Sequence, residues 1–102
     1  MELRKNISVD SLILHLGGAI DRKGAEELKE AVSSATMNNI KTVVLDFGKV
    51  TQIGSAGLGK LLLFYKEFAL KGITLRVEHA SSEICALMRE LKLDSLFNIT
   101  SR

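Results

Sequence analysis

Residues 42 to 59 read Thr42-Val43-Val44-Leu45-Asp46-Phe47-Gly48-Lys49-Val50-Thr51-Gln52-Ile53-Gly54-Ser55-Ala56-Gly57-Leu58-Gly59. The opening Thr42-Val43-Val44-Leu45 is a β-branched, near-continuous apolar run, the pattern of a strand buried on both faces in the middle of a sheet. After Asp46-Phe47-Gly48 the periodicity breaks, so an irregular connection is expected through Val50 and Ile53. Gly54-Ser55-Ala56-Gly57 then leads into a strongly apolar helix from about Ala56 to Leu70. Leu58, Leu61, Leu62, Tyr65, Phe68 and Ala69 fall on one broad stripe of that helix. Strand, connection, helix is the unit of a parallel sheet, and the rest of the chain is read by asking what flanks it.

Upstream, Leu12-Ile13-Leu14-His15-Leu16 is a strand-length run expected to stop at Gly17-Gly18, and a tight turn at Val9 to Ser11 joins it to residues 2 to 9 as a hairpin. Asp21 is placed to cap a helix whose inner face is Ala25, Leu28, Ala31, Val32 and Ala35, with Lys29, Glu30, Ser33 and Ser34 outside. Met37-Asn38-Asn39 closes it. Downstream, Gly72 ends the second helix, and Ile73-Thr74-Leu75-Arg76-Val77-Glu78 alternates as a strand with one wet face should. Ser81 or Ser82 can cap a last helix with Ile84, Leu87, Met88 and Leu91 inward. Leu93, Leu96, Phe97 and Ile99 form an apolar tail that packs back on the core. The expected fold class is α/β, a single domain over residues 1–102 with a mixed sheet of about four strands packed against helices, the later strands made parallel by helical crossovers.

Composition agrees with one soluble domain. The chain has 102 residues, 46% of them hydrophobic and 25% charged, close to globular averages and far from a disordered chain. Fourteen Lys and Arg against twelve Asp and Glu give a net charge of +2. They form no basic run, so nucleic acid is not the expected partner. No apolar stretch approaches the ~20 residues of a membrane span, and no apolar secretory region follows Met1 to Asp10, so no membrane association and a cytoplasmic location are expected. A single cysteine, Cys85, excludes an intrachain disulfide. His15 and His79 are far apart in sequence without ligand spacing, so no metal is expected. His15 reads as a partly buried structural residue, His79 as a loop residue, and Cys85 and Met88 as core. Asp46 either orients the loop after its strand or satisfies that loop's amides.

The glycines at 54, 57 and 59 suggest two readings: an ordinary loop with Ser55 as N-cap, or close approach of another molecule to the backbone at Gly57 and Gly59. Known motifs do not fit. Gly54 and Gly59-Lys60 have P-loop spacing, but Leu61 stands where the magnesium-binding hydroxyl belongs. A G-x-S-x-G elbow fails because Ile53 replaces its first glycine. An enzyme using Ser55 therefore ranks last, and no cofactor is implied.

Thr42 to Phe47, Val50 and Ile53 to Gly59 together resemble the STAS family of bacterial anti-sigma factor antagonists. Gly18-Ala19-Ile20-Asp21 is similar to that family's entry to the first helix, Gly72-Ile73-Thr74-Leu75 to its fourth strand, and Leu93 to Ile99 to its closing segment. The resemblance spans the whole chain. It implies a non-enzymatic regulator of transcription that binds a serine-kinase anti-sigma factor and is released when phosphorylated, with a serine phosphatase restoring it. By position in the family's D-S-[SA]-G segment the phosphorylated residue is Ser55, and Gly54 stands where the family's aspartate usually does. The implied partner surface comprises Asp21, Gly54, Ser55, Ala56, Gly57, Gly59 and Leu63. Leu63 and Leu70, which point away from the apolar stripe, leave a weak homodimer open. The rival reading is a non-switching STAS scaffold or assembly domain in a stress-sensing or lipid-transport complex.

Overall fold

Alternation of side chains across strands sorts the chain into a covered and an open sheet face. The computed structural model describes residues 1–35 and 39–101. In chain order it comprises β1 (Glu2–Ile7), β2 (Ser11–Ile20), α1 (Arg22–Ala35), β3 (Thr42–Ile53), α2 (Ser55–Lys71), β4 (Thr74–Ala80), α3 (Ser82–Glu90), a single 3-10 turn (Leu93–Ser95) and β5 (Asn98–Ser101). The sheet runs β1-β2-β3-β4-β5, with β1 antiparallel to β2 and every later pair parallel. The α/β class and the mixed sheet are as expected. Among the described residues the strands number five, because the apolar tail supplies β5 alongside β4 instead of only packing on the core.

Register aligns apolar residues into rows. Leu12, Val43 and Leu75 face one another across the three central strands, as do Leu14, Leu45 and Val77. All six are buried and join Leu28, Val32, Leu61, Phe64, Phe68, Ile84 and Met88 in one core. This is the face that the helices cover. The other face carries Arg4, Ile13, His15, Val44, Asp46, Arg76 and Glu78, of which Val44 alone is buried. β3 is thus central, as its composition suggests, but it is not packed under helices on both sides. On the edge strand β1, Leu3, Lys5 and Ile7 pair with Leu16, Leu14 and Leu12, which puts Lys5 on the covered side, where it is exposed.

Two boundaries differ from the sequence reading for one reason. β2 does not stop at Gly17-Gly18, and 46–53 is not a loop. His15 pairs with Asp46 but Gly17 with Lys49, and Gly18 pairs with Val50 but Ala19 with Gln52, so β3 inserts an extra residue twice. Each bulge breaks the period of two. Phe47, Val50 and Ile53 all reach the core despite a spacing of three, which is why the segment looked irregular. Gly18 supports the second bulge from β2 with φ 79. The hairpin turn spans residues 8–10, closed by the Ser8 N–H donating to the Ser11 carbonyl at 2.9 Å.

The first helix keeps its expected face, with Ala25, Leu28, Val32 and Ala35 buried. Its expected close at Met37-Asn38-Asn39 falls partly outside the described residues, since Met37 and Asn38 are among those not described; Asn39 has φ 50. On α2 the buried residues are Gly57, Leu61, Phe64 and Phe68. Ala69 is exposed, so the stripe is rotated from the expected one and admits Phe64, which stacks on Phe68 at 5.8 Å between ring centroids. Gly72 ends the helix in the left-handed conformation, its N–H donating to the Phe68 carbonyl. On α3, Ser81 is the N-cap, and Cys85 takes the inward place assigned to Leu91, which is exposed. Leu96 in the tail is also exposed.

Phe64→Ala, a buried truncation under α2, should lower the unfolding free energy by about 3–5 kcal/mol. Leu70→Ala, on a side chain 90% exposed, should change it by less than about 0.5 kcal/mol; urea denaturation of both variants checks the assigned helix face.

Candidate functional site

The candidate surface is built by two parallel strands that end together. Ile20 and Ile53 are register partners at the ends of β2 and β3, and the Gly54 N–H donates to the Ile20 carbonyl at 3.0 Å. A helix leaves each strand one residue later. The N-termini of α1 and α2, and with them Asp21 and Ser55, therefore lie side by side. Farther along, Lys60 Nζ of α2 approaches Glu26 Oε1 of α1 at 3.3 Å, a bridge too exposed to hold the pair together by itself.

Asp21 is the cap the sequence suggested. Its Oδ1 accepts from the Gly24 N–H at 2.8 Å, and that hydrogen bond is the main reason its carboxyl titrates below the ordinary aspartate range. Ser55, by contrast, is not the N-cap of α2. Gly54 occupies that position, with φ −92 and ψ 179, and no side chain caps the helix. Ser55 is the first helical residue and is exposed. The first turn of α2 thus has no capping side chain at the positive end of the helix dipole.

The three glycines have three different environments. At Gly54 a Cβ would lie 3.8 Å from the Ile20 carbonyl oxygen, an ordinary contact. That position accepts a side chain. At Gly57 a Cβ would lie 2.7 Å from Ile53 Cγ1 and 2.9 Å from Ile20 Cγ2, so the close approach is between α2 and the strand ends within the molecule. Gly57 is buried and offers no backbone to a visitor, which corrects that part of the sequence reading. At Gly59 nothing lies within 4 Å of the added atom, and the helix surface is bare.

At 100° per residue Ser55, Gly59, Leu63 and Leu70 fall within about 80° of one another on α2. All four are exposed, Leu63 at 37%, and exposed Lys66 falls in the same sector, so the hydroxyl heads a mixed face on which two leucines flank a lysine. Ala56 is half-buried at its flank, and Asp21 stands across from it on α1. Sequence reasoning placed these residues together; what it missed lies on the open face of the sheet. There Asp46 Oδ2 is 2.9 Å from His15 Nδ1, and Asp46 Oδ1 is 3.1 Å from His79 Nδ1 and accepts from the Gly48 N–H at 2.9 Å. Burial pushes the Asp46 carboxyl up, but the hydrogen bonds from Gly48, His15 and His79 outweigh it, and it titrates below its usual range. Asp46 therefore does satisfy an amide after its run of apolar residues, and it also gathers both histidines. No separation in sequence signals that meeting.

Gly57→Ala should cost about 1–3 kcal/mol through the clash with Ile20 and Ile53, whereas Gly59→Ala should stabilise by up to about 1 kcal/mol; thermal unfolding of the pair measures both. Because the folded-state pKa of Asp21 is lowered, its contribution is complete above the ordinary carboxylate range and is lost as pH falls through the lowered pKa. Asp21→Ala should accordingly shrink the acid-side loss of stability in a denaturation series run from neutral pH downward.

Comparison with solved structures agrees with this architecture. SpoIIAA, an anti-sigma factor antagonist from Bacillus, superimposes in its unphosphorylated form with a TM-score of 0.78 at 16% identity, over 99% of this chain and 88% of that one. Its phosphorylated form gives 0.78 at 14% identity, over 99% and 93%. A candidate anti-sigma factor antagonist from Thermotoga maritima gives 0.83 at 17% identity, over 98% and 86%. These likenesses establish the shared fold. The STAS domain model matches residues 1–102, and the chain accordingly belongs to the STAS domain family.

Proposed function

We propose that this chain is an anti-sigma factor antagonist that works by partner switching. With Ser55 unmodified, the surface of Asp21, Gly54, Ser55, Ala56, Gly59 and Leu63, shaped from beneath by Gly57, binds a serine-kinase anti-sigma factor. Phosphorylation of Ser55 releases it, and a serine phosphatase restores it. The observation that carries this reading is the exposed Ser55 hydroxyl at the first position of an uncapped helix, on the same open face as Gly59 and Leu63. SpoIIAA, which shares the fold, is known in both unphosphorylated and phosphorylated forms.

The energetics of such a switch follow from the position. A phosphoserine carries about −1.5 to −2 charges, and here it would sit at an uncapped helix start, at the favourable end of the helix dipole. The fold accommodates the phosphate. A partner docked over Ser55 has to desolvate it, and an unpaired buried charge is far costlier than the hydroxyl it replaces. Binding is lost without refolding.

Gly54 favours the second reading, a scaffold or assembly domain without a switch. With no carboxylate next to Ser55, a kinase that recognises the family's aspartate has less to read. The site itself tolerates the missing group, since Gly54 has extended backbone and room for a side chain. Gly54→Asp therefore tests kinase recognition without disturbing the fold.

Incubation with ATP and a cognate serine-kinase anti-sigma factor, followed by peptide mass spectrometry, should place one phosphate on Ser55. In calorimetry Ser55→Ala should keep partner affinity and Ser55→Asp should weaken it by about tenfold or more, both with native unfolding curves. An active kinase that leaves Ser55 unmodified in the natural chain and in Gly54→Asp, with equal binding by both serine variants, would establish the scaffold reading.

A further inference from the structure

The open face of the sheet carries a cleft that shares no residue with the Ser55 surface. Its volume is ≈ 520 Å³, and Glu2, Arg4, His15, Lys49 and His79 stand around it, within the roughly 300–1,000 Å³ of small-molecule sites. Gly17 keeps it open. A Cβ there would lie 3.2 Å from Glu2 Oε2 and 3.3 Å from Lys49 Cβ, filling the space between the walls. At Gly48 a Cβ would lie 3.1 Å from Asp46 Oδ1, the atom that the Gly48 N–H holds.

The histidines are oriented rather than merely present. Asp46 as a carboxylate only accepts hydrogen bonds, so each imidazole keeps its proton on Nδ1 and turns Nε2 away from Asp46. For His79 this orientation needs a bulge: Val77 pairs with Ile99 but Ala80 with Ser101, and His79 takes φ 60. The extra residue lets Ala80 regain the core while both Glu78 and His79 stay off it. A left-handed non-glycine residue is strained, and such strain is characteristic of positions with work to do.

Charges facing the rings come from each neighbouring strand. β1 supplies Glu2 and Arg4, β3 supplies Asp46 and Lys49, and β4 supplies Arg76 and Glu78, which neutralise each other at 2.7 Å. β5 brings uncharged Asn98 opposite Arg76. With neutral rings the cleft balances Arg4 and Lys49 against Glu2 and Asp46; protonation of both rings adds two positive charges and turns each Nε2 into a donor. We propose that this cleft binds a small molecule bearing a phosphate group, free or esterified, through Nε2–H of His15 and His79 together with Arg4 and Lys49. Two added cations match a dianion better than a monocarboxylate, and the cleft is larger than the oxyanion alone.

The test is an NMR titration of the full chain with inorganic phosphate, glucose 6-phosphate and, as a dianion of fixed charge, sulfate, at about pH 6 and about pH 8. All three should saturably shift the His15 and His79 ring signals and the Gly17, Gly48 and Lys49 amides, with sulfate bound about tenfold more tightly at the lower pH. The double variant His15→Gln/His79→Gln, checked for native amide spectra, should lose that pH difference, and Arg4→Gln/Lys49→Gln should bind more weakly at both pH values. Tighter binding of glucose 6-phosphate than of phosphate identifies an ester as the ligand, and equal binding the free anion. No saturation by about 20 mM, shifts confined to residues 54–59, or an unchanged pH difference in the histidine variant would overturn the proposal.

Discussion

The contact of Gly57 with Ile20 and Ile53 sets the geometry on which the candidate surface depends. A hydrogen at that one α-carbon lets α2 settle onto the ends of β2 and β3, where any side chain would collide with two buried isoleucines. With α2 seated there, the Gly54 N–H reaches the Ile20 carbonyl and the first turn of α2 is brought level with that of α1. Asp21 and Ser55 come together because the strands do. The exposed hydroxyl is thus placed by a packing constraint beneath it, a buried glycine two residues away.

Much of this was legible from residue types and spacing. Thr42 to Leu45 announced a central strand, Asp21 a cap, and Gly72 a left-handed helix end, because each depends on local chemistry that acts in the same way in any fold. The errors share a different cause. Bulges at Gly48 and Thr51 shift core residues from a spacing of two to three, and no local rule separates that from a loop. Ser55 resembled an N-cap because serine favours that position, but the Gly54 carbonyl already accepts from the Leu58 N–H, so the helix starts one residue earlier with Gly54 as its cap. Phe64 was left off the buried stripe because a helix apolar on most sides does not declare which way it faces; the sheet decides that. Asp46 and its two histidines meet across three strands, and only register reveals such a meeting.

The two constellations divide the molecule between its faces. Ser55 and the α2 strip lie on the helix side, while Asp46, His15 and His79 occupy the sheet side, where no helix competes for space. Both sit where β3 departs from regularity or ends. The same strand supplies Ile53 to seat α2 and Asp46 to align the imidazoles, so β3 is the one element that contributes to both.

Lys5 bears on how the chain behaves among copies of itself. β1 is a free edge whose outer N–H and C=O groups have no strand beside them, the template from which sheets grow between molecules. Leu3 and Ile7 on its covered side would welcome such growth. Lys5 lies between them, opposite Leu14 in register yet exposed, and a neighbour adding a strand there would have to bury its ammonium group. Growth of a sheet through β1 would therefore carry the cost of desolvating one cation, at no expense to the core that lies a strand further in.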